Sequence, residues 1–185
     1  MAEEARLEQV GNGLAPVTDG WFVVNAADAA WVEHEVFGHR CKFDLDGRVG
    51  SARPELETQM FGEIGYTLAV LRPGKPNGMY HAEDVQEDFF VVSGSCTAIV
   101  EDQEVPLRQY DFLHCPAGTN HVLVGGDEGA VVLMIGNRAT RTGINYPRSE
   151  FALERGAGVE RTTDSPAEAY ASFGHWRTGG EKPTL

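Results

Sequence analysis

The chain has 185 residues, 42% of them hydrophobic, with 15 basic and 28 acidic side chains and a formal net charge of −13. That length and apolar content support a folded core without disulfide help and exclude a wholly disordered chain. The negative balance repels nucleic acid and anionic membranes, so neither is expected as a partner.

Cys41, Cys96 and Cys115 stand far apart with no C-x-x-C pair, which is not a disulfide framework and suits a reducing compartment. The acidic opening Met-Ala-Glu-Glu-Ala-Arg lacks an apolar leader, and no run reaches the ~18–20 apolar residues of a membrane span. The expectation is a cytoplasmic protein with no membrane partner.

Residues 1–20 are polar, with Gly11, Gly13, Pro16 and Gly20, and read as a flexible arm. Trp21–Val24 is a short β-type run, and Ala26–Ala30 suits one helical turn with Asn25 as N-cap. Aromatic and β-branched residues from Trp31 to Leu45 predict one or two strands, and the Gly and Pro content of 47–57 predicts a loop. Beyond it come Gly65–Leu71, an extended Met79–Glu83, and then Glu87–Val92, Cys96–Val100, Val105–Tyr110, Phe112–Cys115, His121–Val124 and Ala130–Ile135. Short strands spaced by roughly 8–12 residues, with turn residues between them, belong to an all-β sandwich or barrel. Near the end, Ser165 as N-cap and Pro166 at the first helical position predict a short helix over 165–173. The chain divides on this basis into the arm at 1–20, a barrel over 21–148 and a C-terminal extension over 149–185.

The chemistry concentrates in His81-Ala-Glu83-Asp-Val-Gln-Glu87, which runs into an apolar strand ending at Gly94, and in Pro116-Ala-Gly118-Thr-Asn-His121. In an extended segment residues i and i+2 share a face, so His81 and Glu83 point together. Glu87 follows a polar connection and can return a carboxylate from the next strand, with His121 supplying a second imidazole. A first-row divalent ion accepts imidazole and carboxylate donors together. H-x-E-x-x-x-E on its own is a weak signal, better explained by exposed polar residues at strand ends.

Taken together, these two stretches resemble the paired motifs of the cupins, G-x5-H-x-H-x(3,4)-E-x6-G and G-x5-P-x-G-x-x-H-x3-N. His81, Glu87 and Gly94 match the first; Pro116, Gly118 and His121 match the second. The resemblance covers roughly 64–137 and implies an all-β double-stranded β-helix, or jelly-roll barrel, with extra N-terminal strands, a metal held inside, and a homodimer. The chain departs from the pattern in four places. Glu83 stands for the second histidine, Tyr110 for the glycine opening the second motif, and Gly125 for its asparagine, while the leading glycine falls at Gly74 or is replaced by Pro76 and Gly78. The implied ligands are His81, Glu83, Glu87 and His121, a neutral set around a divalent zinc, iron or manganese ion.

The pair His114-Cys115 invites a nucleophile reading, but a strand residue beside a buried thiol explains it better. His34, His39 and His175 read as surface or interface groups, and Phe89, Val91 and Leu123 share the ligand parity and read as cavity lining or core. Tyr66, Arg72 and Arg108 are candidates for meeting an anionic substrate. Three functional readings follow. The first is a metal-dependent enzyme acting on a small molecule by dioxygenase, isomerase or decarboxylase chemistry, with Glu83 as catalytic base if it does not bind the ion. The others are a binding or sensory module and a barrel whose ion is purely structural. No helix-turn-helix region accompanies the barrel, which weighs against a DNA-binding regulator.

Overall fold

The computed structural model describes residues 3–45, 61–139 and 143–185, so the loop expected at 47–57 lies outside the described residues. Its elements in chain order are β1 (Leu7–Val10), β2 (Gly13–Pro16), β3 (Trp31–His34), β4 (Gly38–Lys42), β5 (Ile64–Leu71), β6 (Ala82–Glu83), β7 (Glu87–Val100), β8 (Gln103–Arg108), β9 (Phe112–Cys115), β10 (His121–Asn137), β11 (Ile144–Asn145), α1 (Glu150–Glu154), α2 (Pro166–Ala169) and β12 (Arg177–Thr178). The principal sheet runs β12-β3-β4-β5-β10-β7-β8, with β9 also paired to β7, and its strand pairings are antiparallel. The fold is the all-β barrel expected, with extra N-terminal strands and short C-terminal helices.

Two long strands build the barrel. β7 pairs with β9 through Glu87–Phe90 and with β8 through Ser95–Val100, while β10 lies along it throughout. Phe89 and Val91 point inward, then Cys96 and Ala98 do, so the inward parity switches between the halves. A bulge achieves the switch, because one extra residue on one strand exchanges its faces. Gly94 sits there at φ 73°, and a Cβ would lie 2.3 Å from the Gly129 carbonyl oxygen, so only glycine fits. From sequence, the glycines at 94 and 125–126 read as strand ends, which divided β7 and β10 into two strands each. In the fold the ladder continues past them. Ala69, Leu71, Phe89, Val91, Cys96, Ala98, Leu123 and Val132 fill the interior.

The segment read as an arm contains the β1–β2 hairpin. Asn12 at its turn accepts a hydrogen bond from the Trp31 N–H (2.8 Å) and donates to the Gly180 carbonyl (2.9 Å), which ties the hairpin to β3 and to the tail. Trp21–Val24 forms no ladder beyond a bridge from Trp21 to Glu4. Asn25 caps only a turn, its Oδ1 accepting from the Ala27 N–H at 2.9 Å.

The C-terminal extension lies against the barrel. Ser165 caps α2 as expected, accepting from the Glu168 N–H, but the helix stops at Ala169 and a turn follows. α1, capped by Ser149, was not foreseen, since five residues leave little periodicity to read. His34 corrects the expectation of a surface group. It is 1% exposed, accepts at Nδ1 from the Val36 and Phe37 N–H groups and donates from Nε2 to the Gly174 carbonyl. Phe37, Phe173 and Trp176 surround its ring. A buried imidazole that satisfies both nitrogens is a structural tie.

Candidate metal centre

His81 leads into β6, Glu87 opens β7 and His121 opens β10, so neighbouring strand ends bring the three together. A backbone bridge joins the two histidines: the His81 N–H donates to the His121 carbonyl at 3.1 Å and the His121 N–H returns to His81 at 2.8 Å. Their ring centroids stand 4.9 Å apart. Glu87 Oε2 lies 3.6 Å from His81 Nε2 and 3.3 Å from His121 Nε2. One donor atom from each of the three lies within 4.8 Å of the others.

Backbone carbonyls orient both rings. His81 Nδ1 donates to the Met79 carbonyl at 2.7 Å, and His121 Nδ1 donates to the Thr119 carbonyl at 3.0 Å. In the neutral tautomers this assigns, both Nε2 lone pairs face Glu87 Oε2, a buried oxygen with no hydrogen-bond donor among the described residues unless a ring carries a second proton. Three electron-pair donors then converge with no hydrogen between them. A proton on a ring or on the carboxyl group, or a metal ion between the donors, resolves that arrangement. Ligands at about 2.0–2.2 Å from a common ion stand roughly 3.0–3.5 Å from one another, which the Glu87–His121 and Glu87–His81 separations approach.

The electrostatics agree. Burial disfavours the carboxylate of Glu87, but the His121 and His81 rings beside it outweigh burial and hold its pKa well below the usual carboxylate range. Burial likewise disfavours the His81 imidazolium, yet Glu87 beside it, aided by the Met79 carbonyl and Glu83, raises its pKa above the ordinary value.

Glu83 is placed differently. Its Oε1 lies 4.0 Å from His81 Nε2, outside the three-way cluster, and it is 9% exposed. It also lines an open cleft of about 740 Å³ together with Ala82, Gly118, Ile144, Asn145 and Asp164, whereas none of His81, Glu87 and His121 lines it. Glu83 therefore stands between the cluster and the cleft. Phe89 packs at a tilt against His121, ring centroids 5.0 Å apart, and belongs to the packed interior with Val91 and Leu123.

The remaining candidates lie elsewhere. His114 turns outward and pairs with Asp88 at 2.6 Å, while Cys115 is 1% exposed in the interior, so the two do not act together. Tyr66 packs edge-on against Phe61, and Arg108 is exposed on β8. Two residues escaped the sequence reading: Tyr146, whose ring is 5.8 Å from His81, and Tyr170, which packs edge-on against Tyr146 at 5.9 Å. Neither belongs to a motif: the β11–β6 pairing brings Tyr146 close, and the return of the C-terminal extension brings Tyr170.

Residues 67–136 match the family model described as Cupin domain. Among solved structures, the chain is similar to a putative sugar phosphate isomerase from Acidithiobacillus ferrooxidans ATCC 23270 (28% identity, 59% of this chain and 65% of that one, TM-score 0.46). It is also similar to a sugar phosphate isomerase of the cupin superfamily from Silicibacter pomeroyi DSS-3 (24% identity, 57% and 62%, TM-score 0.41). An RmlC-like cupin from Shewanella frigidimarina NCIMB 400 aligns at 15% identity over 74% of this chain and 86% of that one, with a TM-score of 0.42. Each of the two isomerase matches spans less than two thirds of the matched chain. No curated protein matches the sequence.

Proposed function

Taking as premise that the chain belongs to the cupin superfamily through residues 67–136, we propose that it is a metal-dependent enzyme acting on a small molecule. His81, Glu87 and His121 hold a divalent ion, and Glu83 moves a proton at its open side. The observation that carries this is the convergence of two backbone-oriented Nε2 lone pairs on a buried, unpartnered Glu87 oxygen. Two histidines and one carboxylate leave positions open and are the donor set of non-haem iron(II) oxygenases, while manganese and zinc also accept it.

A bound ion supplies Lewis acidity or, if redox-active, a place to bind dioxygen. Two neutral imidazoles and one carboxylate leave one positive charge of a divalent ion uncompensated. A substrate carboxylate or enediolate can meet that charge, which supports an anionic substrate. Glu83, beside His81 and on the cleft wall, is placed to take a proton from a substrate carbon or hydroxyl and return it to a neighbouring atom. It is the proton-transfer candidate because it stands outside the three-way cluster. Three buried free thiols support a cytoplasmic setting, and light scattering tests the homodimer implied by the family.

A second reading has its own support. Phe89 packs against His121, and the ligands come from three different segments, so an ion there would also pin strands together. Water-proton relaxation of the manganese(II)-loaded protein separates the two. The enzyme is expected to show exchangeable water on the ion, displaced by a small hydroxy acid. A loaded ion with no exchangeable water would leave only the structural role.

A further inference from the structure

We infer that Tyr170, outside the family-matched region, is a positioning residue for the metal centre, acting on His81 through Met79; this rests on the metal-binding reading above. Its hydroxyl oxygen accepts the Met79 N–H at 3.1 Å, and the Met79 carbonyl accepts the His81 Nδ1–H at 2.7 Å. Met79 is thus gripped on both sides, by the C-terminal extension at its nitrogen and by a candidate ligand at its oxygen. Met79 is 2% exposed and shares a cluster with Phe37, Tyr146 and Ala169, so it has little room to shift.

The next residues are held from the same direction. The Tyr80 N–H donates to the Ala157 carbonyl at 2.7 Å, so a second point of the extension fixes the strand just before His81. Gly78 leaves a notch for the phenol: a Cβ there would lie 3.2 Å from the Tyr170 hydroxyl oxygen. The Tyr170 ring also packs edge-on against Tyr146, which lies beside His81. Hydrogen-bond partners that orient a ligating histidine act on metal affinity directly, and losing one typically costs ~10–100-fold in affinity or activity. Here the orienting carbonyl belongs to the segment just before β6, and a residue 91 positions downstream holds it in place.

The test is zinc(II) competition against a chromophoric chelator, with wild type, Tyr170→Phe and Gly78→Ala, alongside melting of each metal-free protein. Tyr170→Phe keeps the ring and removes the acceptor. Gly78→Ala crowds the hydroxyl and keeps the tyrosine. Both are expected to weaken zinc binding about tenfold or more, with the double variant little worse than either single one. The ¹⁵N shifts of the His81 imidazole in the metal-free protein are expected to move in both. Unchanged affinity and unchanged shifts would overturn the inference, as would an affinity loss that only follows the loss of metal-free stability. A wild-type chain that takes up no zinc would defeat the metal reading instead, and the imidazole shifts would still decide whether Tyr170 sets His81.

Discussion

Glu87 Oε2 lies 3.3 Å from His121 Nε2 inside the protein, and with both histidines singly protonated at Nδ1 no hydrogen-bond donor among the described residues reaches that oxygen. The contact becomes favourable when a ring is protonated or when an ion lies between the atoms. On the proposed reading, proton and metal compete for the same three side chains.

That competition fixes a pH dependence. Metal uptake must displace the His81 proton, whose pKa is raised above 6.5 chiefly by Glu87 against the opposing effect of burial. Apparent zinc affinity is expected to fall as pH drops through that raised value, beginning above 6.5, with proton release on binding measurable by calorimetry in buffers of different ionisation enthalpy. In the metal-free protein the signs are opposite for the two groups. The raised His81 contributes stability that is present below about 6.5 and lost as pH rises through its folded value. The depressed Glu87 contributes stability that is present above about 4.5 and lost as pH falls through its folded value. Metal-free stability from this pair is thus expected to be greatest between those limits, which denaturant melts across pH will check.

The thiols give an independent measure of the barrel interior. Burial pushes Cys41 and Cys115 up to about 12 and Cys96 up to about 11. Alkylation of the native protein by iodoacetamide at pH 8 is expected to be negligible and all three thiols to react after denaturation, because the thiolate is the nucleophile. Rapid labelling of native Cys115 would contradict the packed barrel interior.

Tyr110 occupies the place where the cupin pattern has glycine, and the fold explains the pattern: its backbone φ is 75°, a left-handed conformation that disfavours a Cβ. The side chain is largely exposed and gains only a stacking contact with Phe90 at 6.4 Å. Tyr110→Gly is expected to stabilise the protein by about 0.5–1 kcal/mol, the relief of strain less the greater freedom of unfolded glycine. A rise of a few degrees in Tm with unchanged metal content is the expected outcome.

The strand series and the approach of His81, Glu87 and His121 were legible in the sequence, because alternation and motif spacing are local signals. It did not disclose that β7 and β10 run on past their glycines, since a glycine that ends a strand and one that bulges it look alike. His34 was misread because its burial depends on Phe173 and Trp176 from the far end of the chain. Tyr146 and Tyr170 carried no motif at all. Glu83 shows the limit most clearly: parity placed it on the same face as His81, yet parity does not say whether its carboxylate joins the cluster or stops 4.0 Å from His81 Nε2.

Metal content by elemental analysis tests the central claim most directly, measured on wild type, His81→Ala, Glu87→Gln, His121→Ala and Glu83→Gln purified from the same medium. About one divalent ion per wild-type chain is expected, with near-complete loss in each of the first three variants and retention in Glu83→Gln. A wild-type chain without metal, or full occupancy after Glu87→Gln or His121→Ala, would contradict the account.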